Sequence, residues 1–207
     1  YFEKLEDKES KKRFKSLPAV FFDRDGVILK ERNHLKDLNK VELENGVKEI
    51  MEYLTSHNTK IILITNQSGI NRGEYSWKDY ELVTKKMLNL LGNKVKITAI
   101  YANSEDRYQR EIQWRKPNPN MIFLASKEHN IELNNSILIG DRISDIQAGI
   151  NSNIKNIVHV KTGHGSRERK LIKEKFGFSN QNYQHKLKLI ENLNDIPLSF
   201  FKKILYC

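Results

Sequence analysis

Five short apolar runs punctuate the 207-residue chain, and most of the gaps between them carry the spacing of an amphipathic helix. The runs are AVFF at 19–22, IILIT at 61–65, KITAIY at 96–101, ILIG at 137–140 and NIVHV at 156–160. Each is long enough for a buried strand and too short for a buried helix. After Gly46, Val47, Ile50, Met51 and Leu54 recur at steps that place them on one helical face. Tyr80, Val83, Met87, Leu90 and Leu91 repeat that pattern over 77–91, and Ser76 with Asp79 supplies a capping-box start. Met121, Leu124 and Ala125 mark a third helix beyond Pro117 and Pro119. This alternation predicts βαβ units, hence an α/β fold with an open parallel sheet covered by helices on both faces. Ligands of such sheets lie beyond the carboxyl ends of the strands.

Composition narrows the setting. Apolar runs stay near four or five residues, far from the roughly 18 that a membrane helix needs. The opening YFEKLEDKES lacks the apolar core of a secretory signal, and the single cysteine, Cys207, can form no internal disulfide, so a reducing cytoplasm is expected. A start at Tyr1 rather than Met points to a processed or trimmed chain, or to part of a longer one. The net charge of +10 raises the question of a polyanionic partner, but residues 19–160 carry twenty basic and eighteen acidic groups. Much of the excess follows residue 160, where Arg167, Arg169, Lys170, Lys173 and Lys175 read as a solvated helix face, so nucleic acid is not the expected partner. The expected division is an appended helix or linker over 1–18, ended by Pro18, a core over 19–165, and a basic extension over 166–207. In that extension Leu198, Phe200, Phe201, Ile204 and Leu205 are expected to pack back on the core, the alternative being a partner contact in a monomer or weak homo-oligomer.

Several strands end in polar clusters. Asp23 and Asp25 face a common centre if the chain turns at Gly26, one to attack or bind metal and the other to move a proton, although D-x-D-G also occurs in calcium loops and ordinary turns. Thr65, Asn66, Gln67, Ser68 and Gly69 offer a hydroxyl, amides and a tight turn, either an anion cradle or a plain loop. Lys116, held extended before Pro117, is a phosphate partner or a surface lysine. Asp141 and Asp145 form a second carboxylate pair, or a helix cap. All four groups follow in order, each where a βα site should lie.

FFDRDGV, ILITNQSGI, RKPNP and ILIGDRISDIQAG resemble the four motifs of the haloacid dehalogenase superfamily, with the likeness covering about residues 19–165. More narrowly they resemble the D-glycero-D-manno-heptose 1,7-bisphosphate 7-phosphatases and the related histidinol-phosphate phosphatases, which have no large cap domain. The resemblance implies Asp23 as nucleophile forming an aspartyl-phosphate, Asp25 as acid and base, and Thr65 and Lys116 as holders of the phosphoryl oxygens. It implies Mg²⁺ bound by Asp23, the main-chain carbonyl of Asp25 and Asp141, with Asp145 orienting Lys116 or the metal's surroundings. It further implies a small sugar phosphate as substrate, contacted by Glu31, Arg32, Asn33, His34, Asn66, Gln67, Ser68 and Arg115. Arg72 is undecided between closing the site and capping the turn at Gly73.

Many relatives carry a structural zinc before the Arg-Lys-Pro motif. The matching positions here are Ala102, Ser104, Ile112 and Trp114, so no structural zinc is expected, and packing of Tyr101, Tyr108 and Trp114 is expected to fix this loop instead. A polynucleotide 3′-phosphatase shares the D-x-D-G and TNQ segments and stands as an alternative after histidinol-phosphate phosphatase. Fusion to, or pathway association with, a nucleotidyltransferase is a further expectation for a chain of this kind.

Overall fold

The computed structural model describes residues 16–108, 111, 113–176 and 185–206. Six strands form one parallel sheet: β1 (Ala19–Phe22), β2 (Lys60–Asn66), β3 (Ala99–Asn103), β4 (Ile137–Gly140), β5 (Asn156–Val160) and β6 (Lys186–Ile190), in the order β3-β2-β1-β4-β5-β6. The chain builds outward from β1 to β3, then crosses back to β4 and builds the other way. This reversal opens a crevice at the carboxyl ends of β1 and β4. No described helix is long and apolar enough to cross a membrane.

Side chains alternate across the sheet with the period of two that a strand imposes. Val20 and Phe22 face a layer containing α1 (Val47–Ser56), α3 (Trp77–Leu91) and α7 (Leu198–Leu205). Ala19 and Phe21 face α4 (Asn120–His129), α5 (Ile143–Asn151) and α6 (Gly165–Phe176) on the other side. The short helix α2 (Ser68–Asn71) follows β2 directly. β1 and β4 are buried along their whole length, because helices cover both faces and strands flank both edges.

The third strand and the sheet's far edge differ from the sequence reading. The strand placed at 96–101 is regular only over Ala99–Asn103: Thr98 still donates its N–H to the Ile61 carbonyl at 2.9 Å, but its side chain, in place of its main chain, accepts the Ile61 N–H. Beyond residue 165 Leu198, Phe200, Phe201, Ile204 and Leu205 of α7 pack on the core as expected, and Ile172 of α6 is buried in the other layer; the strand β6, which extends the sheet, is what the sequence reading did not contain. Within the range expected as linker, Leu17 pairs with Ile131, while residues 1–15 lie outside the described residues.

Candidate active site

The crevice is built on the end of β1. Asp23 donates its N–H to the Ile139 carbonyl of β4 at 3.0 Å, which carries its side chain to the centre of the sheet. The chain then turns sharply, with Gly26 in a left-handed conformation (φ 83°) and Ile28 and Leu29 both bonded to the Arg24 carbonyl. A Cβ at Gly26 or at Gly163 would collide with the Asp141 carboxylate, so both glycines are needed for the backbones to close around it.

At the floor of the crevice Lys116 Nζ lies 2.7 Å from Asp23 Oδ1, 2.7 Å from Asp145 Oδ1 and 2.8 Å from the Ile64 carbonyl. All three charged side chains are buried. Asn66, the last residue of β2, clasps the lysine's main chain: its Oδ1 accepts from Lys116 N–H at 3.0 Å and its Nδ2 donates to the Lys116 carbonyl at 3.1 Å. Asp145 caps α5 with its other oxygen, which accepts the Arg142 N–H at 3.0 Å. Asp141 Oδ2 accepts the His164 N–H at 2.7 Å, and the buried His159 donates from Nε2 to the Asp141 carbonyl at 2.8 Å.

Two carboxylates thus meet one ammonium, and that of Asp141 stands beside them. Ligand oxygens of Asp23, Asp141 and Asp145 lie within 4.8 Å of one another, and the buried Asp141 Oδ1 has no hydrogen-bond partner. Burial pushes the Asp23 carboxyl up to about 7, against the pull of Lys116 and with help from Asp145 and Asp25. Asp141 is raised well above the usual carboxylate range by burial and by Asp23 and Asp145. Lys116 is pushed up to about 12, since Asp145 and Asp23 outweigh the effect of its burial. An anionic pocket of hard oxygen atoms, only partly compensated by Lys116 and with one orphaned ligand atom, fits a divalent cation of the magnesium type.

Asp25 stands apart from this cluster. Arg24 forks onto it, Nε to Oδ1 at 3.1 Å and Nη2 to Oδ2 at 3.0 Å, and Gln67 Nε2 donates to Oδ2 at 2.8 Å. Gln67 also donates to Thr65 Oγ1 at 2.6 Å and accepts from the Tyr75 hydroxyl at 2.6 Å. Arg24 is 1% exposed, with its guanidinium carbon 4.8 Å from the centroid of the Tyr80 ring. The side chain between the two motif aspartates, on which the sequence reading was silent, is therefore the clamp on the second.

Above the floor opens a cavity of about 680 Å³. Of the residues expected to touch substrate, Glu31, Asn33, His34, Asn66, Gln67, Ser68 and Arg115 line it. Asn33 and His34 are consecutive left-handed residues, and His34 Nδ1 lies 2.8 Å from Glu74 Oε2. Arg32 does not line it: its guanidinium pairs with Glu42 at 3.1 Å and borders a separate hollow of about 330 Å³. Arg72 lines the cavity while bonding Ser68 Oγ, Glu74 and Asp106, so it braces the wall. Arg107 and Arg142 also line the wall, and the sequence reading did not single them out; Arg142 directly follows Asp141 at the end of β4, a position that could have flagged it.

The loop before Arg115 is held differently from the expectation. Tyr108 is 84% exposed and Trp114 38% exposed, so they do not fix it by packing, and the Tyr101 hydroxyl is bonded to Glu128 instead. Of the four positions matched to the relatives' zinc ligands, Ile112 lies outside the described residues. Glu105 is the anchor: its Oε2 accepts from the consecutive N–H groups of Gln113, Trp114 and Arg115 at 3.0, 2.7 and 3.0 Å.

Comparison with known proteins agrees with this geometry. Residues 1–159 match the haloacid dehalogenase-like hydrolase family. The D-glycero-beta-D-manno-heptose-1,7-bisphosphate 7-phosphatase of Helicobacter pylori J99 is 36% identical over 163 residues, spanning 75% of this chain and 93% of that protein. The D-glycero-alpha-D-manno-heptose-1,7-bisphosphate 7-phosphatase of Photorhabdus laumondii is 39% identical over 163 residues, spanning 73% of this chain and 87% of that protein. In fold, the chain is similar to the D,D-heptose 1,7-bisphosphate phosphatase of B. bronchiseptica complexed with magnesium and phosphate, with a TM-score of 0.77 at 21% identity over 90% of this chain and 99% of that one.

Proposed function

The chain belongs to the haloacid dehalogenase-like hydrolases, and from that premise we propose that it is a Mg²⁺-dependent phosphatase removing the 7-phosphate of a D-glycero-D-manno-heptose 1,7-bisphosphate. The observation that carries the reading is the buried Asp23–Lys116–Asp145 triad at the strand ends, with Asp25 clamped beside it. Asp23 supplies the nucleophilic oxygen. As its O–P bond forms, the bond from phosphorus to the sugar oxygen breaks, and Asp25 gives that oxygen its proton. Water then attacks the aspartyl-phosphate, Asp25 takes the proton back, and inorganic phosphate leaves with Asp23 restored. Lys116 and the Thr65 hydroxyl face the phosphoryl oxygens, where fixed donors are worth most as charge develops.

The Asp23 and Asp141 carboxylates and the Asp25 carbonyl would hold Mg²⁺, which when bound would supply the neutralisation that lets a carboxylate approach a phosphate. Glu31, Asn33, His34, Ser68 and Arg115 contact the sugar and its second phosphate, with Arg107 and Arg142 adding positive charge to the wall. The single cysteine fits a reducing, cytoplasmic setting.

The test is phosphate release with Mg²⁺ from both anomers of the heptose bisphosphate, histidinol phosphate, fructose 1,6-bisphosphate and a 3′-phosphorylated oligonucleotide. One heptose anomer should lead in kcat/KM, and Asp23→Asn and Asp25→Asn should each lose about 10²-fold or more of that activity. A lead for histidinol phosphate or the oligonucleotide would overturn the substrate assignment, and a fully active Asp23→Asn would overturn the mechanism. The relatives are named for both anomers, so the panel also decides between them.

A further inference from the structure

Glu105 sits just after β3 and its own N–H bonds the Asn103 side chain at 3.0 Å, so it is tied to the sheet. Three successive N–H groups, those of Gln113, Trp114 and Arg115, converge on a single oxygen of its carboxylate. Its main-chain carbonyl accepts from Arg115 Nη1 at 3.1 Å. One residue therefore fixes both the backbone at Arg115 and the direction in which the guanidinium leaves it. An ionised acceptor with three main-chain donors makes charge-assisted bonds, stronger than neutral ones.

The neighbouring residue is anchored independently. Lys116 is clasped by Asn66 on its main chain and by Asp23 and Asp145 on its side chain. Loss of the Glu105 anchor would thus loosen Arg115 while the lysine at the reacting centre keeps its holds. Arg115 is half-buried, and its pKa is lowered by that burial and by Arg107, Arg142 and Arg72 nearby, which outweigh the opposing Asp106. A guanidinium so placed, lining the cavity, is relieved by an anion.

We propose that Glu105 is a positioning residue for substrate choice, holding Arg115 where it grips the phosphate that is not cleaved; this rests on the bisphosphatase reading given above. A carboxylate drawn from the end of β3 does this by hydrogen bonds alone. The role belongs to recognition of the second phosphate and leaves the phosphoryl-transfer residues untouched.

The experiment compares wild type, Glu105→Ala, Glu105→Gln, Arg115→Ala and the Glu105→Ala/Arg115→Ala double variant on heptose 1,7-bisphosphate and on heptose 7-phosphate, with thermal unfolding of each. Glu105→Ala should raise KM for the bisphosphate by about tenfold, with kcat and the KM for the monophosphate changing much less. Glu105→Gln, which keeps an acceptor oxygen without the charge, should recover part of the loss. The double variant should be no worse than Arg115→Ala, as expected of two residues acting through one contact. An unchanged bisphosphate KM in both Glu105 variants, alongside a raised KM in Arg115→Ala, would overturn the role of Glu105 and leave that of Arg115. Equal losses on both substrates, or a fall in kcat matching the rise in KM, would overturn it in favour of simple loop support. An Arg115→Ala enzyme with unchanged bisphosphate KM would overturn the reading of Arg115 itself, and the proposal with it.

Discussion

The floor and the wall of the site are built on opposite principles. At the floor, Asp23, Lys116, Asp141 and Asp145 are buried and tied to the ends of β1, β2 and β4, with Lys116 in ion-pair contact with Asp23 and Asp145. On the wall, Glu31, His34, Arg72 and Glu74 stand on loops with partly exposed side chains and pair through solvent-screened contacts. Buried charge is strong and rigid, which suits a reaction that recurs on every substrate. Exposed charge on loops is weak and easily exchanged, which suits a surface that must differ from one sugar phosphate to the next.

The sharpest way to break that contrast is to remove the one cation of the floor. Lys116→Ala leaves the Asp23 and Asp145 carboxylates unpaired in a buried site, and breaking a buried pair from one side costs about 3–5 kcal/mol. For a chain of this length that is a fall in Tm of roughly 6–20 °C. The loss should shrink on acidification, where the stranded carboxylates take up protons, and phosphatase activity should fall by about 10²-fold or more even where the variant is folded. A variant as stable as wild type at pH 8 would mean that the floor is not the charge-locked centre its distances indicate.

Proton linkage sharpens the same point with a smaller effect. Asp23 is raised to about 7 and Asp141 is raised as well, so in metal-free protein the fold holds protons that the unfolded chain has already released. Their contribution to stability is full in acid and is lost as pH rises through the folded-state values. His159 acts the other way: burial and Arg169 pull it down to about 4, so its contribution is lost as pH falls from its ordinary value toward 4. Above about pH 6.5 the histidine contribution is complete and no longer varies with pH, so the carboxylates set the slope. Thermal unfolding in a chelator should therefore show Tm falling between pH 6.5 and 8, and Mg²⁺ should flatten the slope by compensating the ionised carboxylates. A chelated Tm that rises across this range would contradict the assigned burial of the two aspartates.

The same contrast explains what the sequence made readable. β1 and β4, covered on both faces, are unbroken apolar runs between turn residues, and the residues that end them are the floor of the site. Lys116 alone reads as a surface lysine; only its place in the order of polar clusters marks it, and the fold then brings it to Asp23 across 93 residues. β6 went unread because Lys186 and Lys188 alternate with half-buried leucines, as suits an edge strand with one covered side. The hold of Glu105 on residues 113–115 leaves no mark in side-chain identities, because its partners are main-chain N–H groups that every non-proline residue has. Tyr108 and Trp114 misled for the complementary reason: large apolar side chains suggest packing, but these two stand partly or largely in solvent.

Arg32 is the weakest lever and the cleanest control. Motif order places it among Glu31, Asn33 and His34, yet the left-handed turn at Asn33 and His34 carries those neighbours toward the cavity while Arg32 turns to Glu42. Lys30 competes for the same carboxylate at 2.7 Å, so Glu42 keeps a partner when Arg32 is removed. An exposed pair of this kind is screened by solvent and adds little to stability. Arg32→Ala should accordingly change Tm by no more than about 4 °C and kcat/KM by less than about twofold. A rise in KM comparable to that of Arg115→Ala would show that Arg32 swings from Glu42 onto bound substrate, and would move the boundary of the recognition wall to include the smaller hollow beside it.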